Sequence, residues 1–444
     1  MISFCKKLLR DRRGNALVIA AVSLPLVIGS AGLASDTIEW ALWKRQLQRA
    51  ADSAALAGVY AEAQSGAVGA CTNYTSSTYV QPVGWDVRKN NKAWPATTCT
   101  VQNPPTSGSY TGDSKAVKVT LSVQQSLPFS GFFVSTAPTI TASATATLQE
   151  TGSYCLVALK NTTDSGITVG GSSSVQLGCG AISNSRSPTG AVSSNGNAYT
   201  FAAHPVAAVG GMPADLTSHG ASDLQPNHIA EPDPFAGKYP TAVPAGMSCT
   251  TFNSHTYSVN NGGNGNNGNG NNSGPQHLTA GCYSGFGPSG SGTYVMDAGV
   301  YYLDSTDFSP GGQVTLTGTG VTIILTGTTP GSVNLSGNQT IQLSAPTTGT
   351  YAKMLLIQAP NASTDNLNKI NGTSGSYFDG AMYFPNGTLQ LNGTSSNQTQ
   401  CAMVVANVVD ITGNAGLQNS LFRPDGSACT GNMTVTAKVV RLVE

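Results

Sequence analysis

Residues 12–58 read RRGNALVIAAVSLPLVIGSAGLASDTIEWALWKRQLQRAADSAALAG, and the placing of charge along them decides the fold. Basic residues open the stretch. The 21 residues from Asn15 to Ser35 carry no charge, and an alanine-rich amphipathic pattern follows. As a helix rising ~1.5 Å per residue, the uncharged run covers the ~30 Å hydrocarbon thickness of a bilayer. Lys6, Lys7, Arg10, Arg12 and Arg13 precede it against Asp11, whereas Asp36 and Glu39 follow. The positive-inside rule therefore keeps the N-terminus in the cytoplasm, and Trp40 and Trp43 fall where indoles favour the headgroup layer. A cleaved secretory signal has an apolar core of about 7–15 residues, shorter than this one, although SAGLAS at 30–35 has the small residues of a cleavage site. A buried helix of a soluble domain would not pair a basic cluster with an uncharged run.

The sequence thus predicts a cytoplasmic basic segment at 1–13 and a transmembrane helix at 14–35, with Asn15, Pro25, Gly32 and Asp36 along the anchor. Pro25 is tolerated mid-span because local adjustment and neighbouring helices satisfy the carbonyl it frees. Residues 36–64 continue as a membrane-proximal helix. Leu47, Ala50, Ala51 and Ala54 recur at three- and four-residue steps, while Lys44, Arg45, Gln48, Arg49 and Asp52 take other faces. Small side chains on that face let a second surface approach closely, either a sheet of the same domain or a partner's helix.

The order of basic residues, RRGN, an apolar run with a proline, SAGLASD, aromatics and KRQLQRAADSAALAG closely resembles the N-terminal segment of TadE/TadG-like proteins of the bacterial tight-adherence (Flp pilus) assembly system. The likeness covers about residues 12–60. It implies a role in assembling or anchoring an adhesive pilus; the residues themselves lead to the expectation of no enzymatic activity and no cofactor. Its implied partners are the inner membrane and other Flp pilus assembly components, with contact to surface polysaccharide a further expectation. Processed prepilins carry Glu at the fifth mature position; a cut after Gly14 would put Ile19 there. The resemblance therefore points to the unprocessed TadG-like branch. The DxSxS metal motif of von Willebrand A-type domains, found in some of that branch, does not occur in this sequence.

Composition adds limits. Only 9% of the 444 residues are charged, against about a quarter in an average globular protein. The net charge is zero; setting aside the five basic residues and one acidic residue of the N-terminus leaves 16 basic and 20 acidic, so no nucleic-acid surface is implied. Nine cysteines divide into Cys5 before the span and eight after it. Eight in an oxidising space suggest disulfides, and the neighbouring couples are Cys71 with Cys99, Cys155 with Cys179, Cys249 with Cys282 and Cys401 with Cys429. No CxxC or clustered Cys/His spacing suggests a metal.

Beyond the helix, residues 65–150 read as a pilin-like module: turn-rich loops, then alternating strands at Ala116–Val123 and Thr139–Leu148 joined by LPFSGFF. Residues 151–444 consist of very short strands separated by Gly, Asn and Ser, as in QVTLTG, GVTIILTG and QTIQLSA. The expected fold is mostly β with a long N-terminal transmembrane α-helix and a parallel β-helix in the exported region, a β-sandwich being the alternative. A Pro/Gly/Asn-rich insert at about 205–290 holds a Pro-rich connector expected to lie along a surface, and a nearly pure Gly/Asn loop at 260–275. His204, Asp215, His219, Asp223, His228, Glu231 and Asp233 crowd within it, without the spacing of a helix-borne metal pair. Asp297, Asp304, Asp307 and Asp379 are the acids a β-helical carbohydrate-active enzyme would have to use, the opposing functional reading.

Overall fold

A computed structural model describes residues 13–69, 97–196, 198–252, 275–371, 376–392, 396–397, 403–413, 416–419 and 434–444. Residues 1–12, Cys5, Cys71, Cys401, Cys429 and most of the Gly/Asn loop lie outside the described residues. The chain forms two units, one of residues 1–149 with 439–444 and the other of residues 150–438.

The first unit is built on α1, a single 53-residue helix (Arg13–Ser65) that includes Pro25. Its length follows from composition: no glycine pair or second proline interrupts it, and alanine, the strongest helix former, dominates its second half. The unit also holds three antiparallel strands, β1 (Thr97–Gln102), β2 (Ala116–Gln124) and β3 (Thr139–Ala158), and the end of a C-terminal strand, Val435–Leu442. The sequence reading treats 65–111 as loops and misses β1, whose TTCTVQ is too short for a periodicity signal.

Strand alternation presents Val117, Val119, Leu121 and Val123 of β2 and Ile140, Ala142, Ala144 and Ala146 of β3 to one face. Against it α1 buries Leu47, Ala50, Ala51, Ala54, Ala55 and Val59. The Gln48 amide donates to the Ser143 carbonyl at 2.9 Å, and the Lys44 ammonium donates to the Thr141 carbonyl. At the C-terminus, the Thr145 and Val443 N–H groups donate to the Glu444 and Thr145 carbonyls at 2.6 and 2.8 Å. Polar groups of β3 at positions 141–145 are thus satisfied within the unit.

In the second unit the layers formed by residues 154–225 and 249–419 pair with one another in parallel. One column runs, in spatial order, through Cys249–Thr251, Gly281–Gly285, Gly299–Asp304, Val321–Thr326, Met354–Gln358, Ala381–Leu391 and Val404–Ile411. It continues through residues 156–158 of β3, then Gly180–Ser183, Val206–Ala208 and Leu224–Gln225. The last long layer therefore pairs with the first: Val404 lies opposite Leu156, and Val409 opposite Ile167. A second column stacks Gln276–Leu278, Thr293–Met296, Thr315–Thr319, Thr340–Ser344 and Tyr377–Asp379. Between columns the chain turns at small residues. At one corner Gly171 has φ +69°, and a Cβ there would come within 2.6 Å of the Gly413 carbonyl of the adjacent layer, so only glycine fits.

This order requires the chain to leave one end at 224–225 and restart at the other at 249–251. The intervening segment does so along the outer face of the first column. Glu231 and Asn184 exchange hydrogen bonds of 2.8 and 2.7 Å, Phe235 packs edge-on against Tyr383 at 5.2 Å, and Tyr239 stacks on Tyr351 at 6.2 Å. The segment 205–290 that reads as an insert is therefore partly column: 206–208, 224–225, 276–278 and 281–285 are strands, too short to show alternation. Two cysteine couples are bonded, Cys155–Cys179 and Cys249–Cys282, with Cα atoms 5.9 and 4.4 Å apart. The second couple is directly cross-strand in the ladder. Cys99 is disulfide-bonded as well.

Candidate functional site at the end of the apolar helix segment

Along its first part α1 leaves most of its side chains exposed among the described residues. Ile19, Val22, Leu24, Leu26, Val27, Ile28 and Leu33 are all more than half exposed. The helix at 19–63 contains a window long and apolar enough to cross a membrane. Of the anchor residues read from the sequence, Pro25 lies within this exposed part and Asn15 within α1, while Gly32 and Asp36 have a use the sequence does not announce.

Between β2 and β3 the chain makes one 3₁₀ turn, Ser130–Phe132. The Asp36 carboxylate accepts the Phe129 N–H at 2.8 Å and the Ser130 N–H at 2.6 Å, taking up donors that a helix start leaves free. Desolvation of this buried carboxyl opposes ionisation, but the donated bonds from Phe129 and Ser130 outweigh it and hold its pKa below the usual aspartate value. One turn earlier on α1, Gly32 leaves room for the Phe129 ring, whose Cδ2, Cγ and Cε2 would lie 2.2–2.6 Å from any added Cβ. Gly32 and Asp36 thus form a seat for the 127–134 loop. Beyond the seat, Phe132 is 87% exposed, Phe133 75% and Val134 53%.

Leu47, Ala50, Ala51 and Ala54 are fully buried on the protein's own sheet. That face is consequently taken, and a partner's helix would have to use another.

The polar residues of 204–233 do not converge. His204 Nδ1 bonds the Ser222 hydroxyl at 3.1 Å, whereas His219 Nδ1 donates to the Tyr199 carbonyl at 2.9 Å and its ring stacks on Tyr199 at 3.9 Å. Asp233 accepts the Tyr383 hydroxyl at 2.6 Å. Buried His228, edge-on to Tyr154 at 6.4 Å, donates from Nδ1 to the Ile229 carbonyl, and burial lowers its pKa. Burial also pushes the Glu231 carboxyl up to about 7, with Lys438 acting the other way. Among the acids of the parallel layers, Asp297 pairs with His277 at 2.8 Å, and Asp307 accepts the Ser332 N–H at 2.7 Å. Among the described residues, no group of three or more His, Cys, Asp or Glu is placed to hold a metal ion.

Residues 14–65 match the family model described as Tad, putative Flp pilus-assembly TadE/G-like. The matched segment is α1 almost residue for residue. No curated protein and no solved structure matches the chain.

Proposed function

We propose that this chain, which carries a TadE/G-like Flp pilus-assembly segment at residues 14–65, is a bitopic structural component of a Flp-type pilus assembly, of the unprocessed TadG-like branch. Residues 14–35 span the inner membrane with the N-terminus cytoplasmic, and the β-rich remainder stands in the periplasm or beyond the cell. The observation that carries this reading is the coincidence of the family match with α1, whose first part leaves its aliphatic side chains exposed. The basic N-terminus against Asp36 and Glu39 supports the orientation.

We read the second unit as a parallel β-helix presenting a weakly charged surface for adhesion, including to surface polysaccharide. In support, a β-sandwich pairs its strands antiparallel, whereas here Gly299 pairs with Val321, Ile323 with Leu356 and Met382 with Val404, all parallel. The role is structural and not enzymatic: two of the acids such an enzyme would use, Asp297 and Asp307, are engaged with His277 and with the Ser332 N–H. Other assembly components bind along the exposed helix. Removing residues 1–35 in the bacterium tests the function. Pilus-dependent attachment should be lost while the remainder accumulates in soluble form; attachment at the full-length level would overturn the assembly role.

A further inference from the structure

We propose that the 127–134 loop is a second membrane contact, an aromatic wedge that Gly32 and Asp36 hold against the outer surface of the bilayer. The inference rests on the reading of residues 14–35 as a membrane span.

Position is the first argument. The loop is fixed to α1 at two points, the Phe129 ring over Gly32 and the Phe129 and Ser130 N–H groups on Asp36. Asp36 is the first charge after the uncharged run, so the seat lies where the helix leaves the hydrocarbon. Gly32 is four residues, about 6 Å, nearer the membrane by helix rise. Chemistry is the second. From Gln125 to Pro138 the loop carries no charged side chain, and its tip is Phe132, Phe133 and Val134. Phe129 and Phe133 pack at 5.2 Å, leaving Phe132 and Phe133 among the most exposed large apolar residues of the unit. In water such a tip is a liability; at a headgroup layer, phenylalanines insert favourably into the acyl boundary. The exposed Leu33, Ile38 and Trp40 belong to the same zone of α1, so the surface is continuous with the span.

The seat also accounts for Asp36. A carboxylate at headgroup depth loses much of its water, and two backbone donors replace that water. The commitment is to lipid. The uncharged tip is continuous with exposed aliphatic residues of a helix segment read as lipid-facing, and that continuity is what selects lipid as its occupant.

Photocrosslinking tests the wedge. Benzoylphenylalanine replaces Phe132, Phe133, Leu26 or Thr111, one at a time, in the full chain reconstituted in phosphatidylethanolamine/phosphatidylglycerol vesicles, and adducts are identified by intact mass. Phospholipid adducts are expected at 132 and 133 as at 26, and none at 111, which lies between β1 and β2 at the far end of the sheet. Phospholipid at 26 with none at 132 and 133, or polypeptide adducts alone there, would overturn the wedge and leave the span standing. No phospholipid at 26 would overturn the span, and the wedge with it.

Discussion

The two parts of α1 are one continuous helix with opposite fates. Residues 19–35 are rich in Ile, Leu and Val and stay exposed; residues 47–59 are rich in Ala and are buried on a sheet. Hydrophobicity does not separate them, since the exposed part is the more apolar. Side-chain size and charge do. Alanines lower the helix surface so that a sheet bearing Ala142, Ala144 and Ala146 can approach it, while Lys44 and Gln48 reach backbone carbonyls of β3. Bulky aliphatics, without charged residues to set an orientation, suit a solvent that is apolar from all directions.

The contrast is broken most strongly by placing a charge in the buried part. Ala54→Glu should destabilise the first unit by about 3–5 kcal/mol, because the sheet offers the carboxylate no counterion. Leu26→Ala in the exposed part should leave the same unit's thermal unfolding unchanged. Equal effects from the two substitutions would dissolve the distinction.

The second unit sharpens it, because its stability has other sources. Replacing Cys155 and Cys179 together by serine should cost that unit roughly 2–3 kcal/mol in denaturant and leave the first unit unaffected. A smaller effect depends on pH. Glu231 has a folded pKa of about 7, above its ordinary 4.5, so its ionisation weakens the folded state. The penalty is absent below pH 4.5, grows as the pH rises and is complete above 7. Glu231→Gln should therefore stabilise the second unit by on the order of 1 kcal/mol above neutrality and by nothing near the lower limit. Stabilisation of the same size at both ends would contradict a Glu231 carboxyl whose ionisation is opposed by burial.

The helix was legible because its signals are local: basic residues, an uncharged run, then alanines at helical steps. Parallel layers were legible in style, from GVTIILTG and its neighbours, but their order was not. Residues 404–406 pair with 156–158 across most of the chain, and no local pattern encodes a partner so distant. The connector from 226 to 248 follows from that order, which is why its Pro-rich composition suggested an insert larger than the one found. The sequence places Asp36 at the edge of the anchor, but its hydrogen-bond partners lie more than ninety residues later. Only the pairing of an acid directly after an uncharged run with an uncharged aromatic turn at 127–134 hinted at it. The alanine face leaves two occupants open in the sequence, and the choice depends on β3 presenting Ala142, Ala144 and Ala146 in register with the apolar residues of β2.

The central claim is that residues 14–35 lie in lipid. Alkaline carbonate extraction of cell membranes tests it most directly, comparing the full chain with one lacking residues 1–35. The full chain should remain in the membrane pellet and the shortened chain should move to the supernatant. Release of the full chain by carbonate would contradict the account.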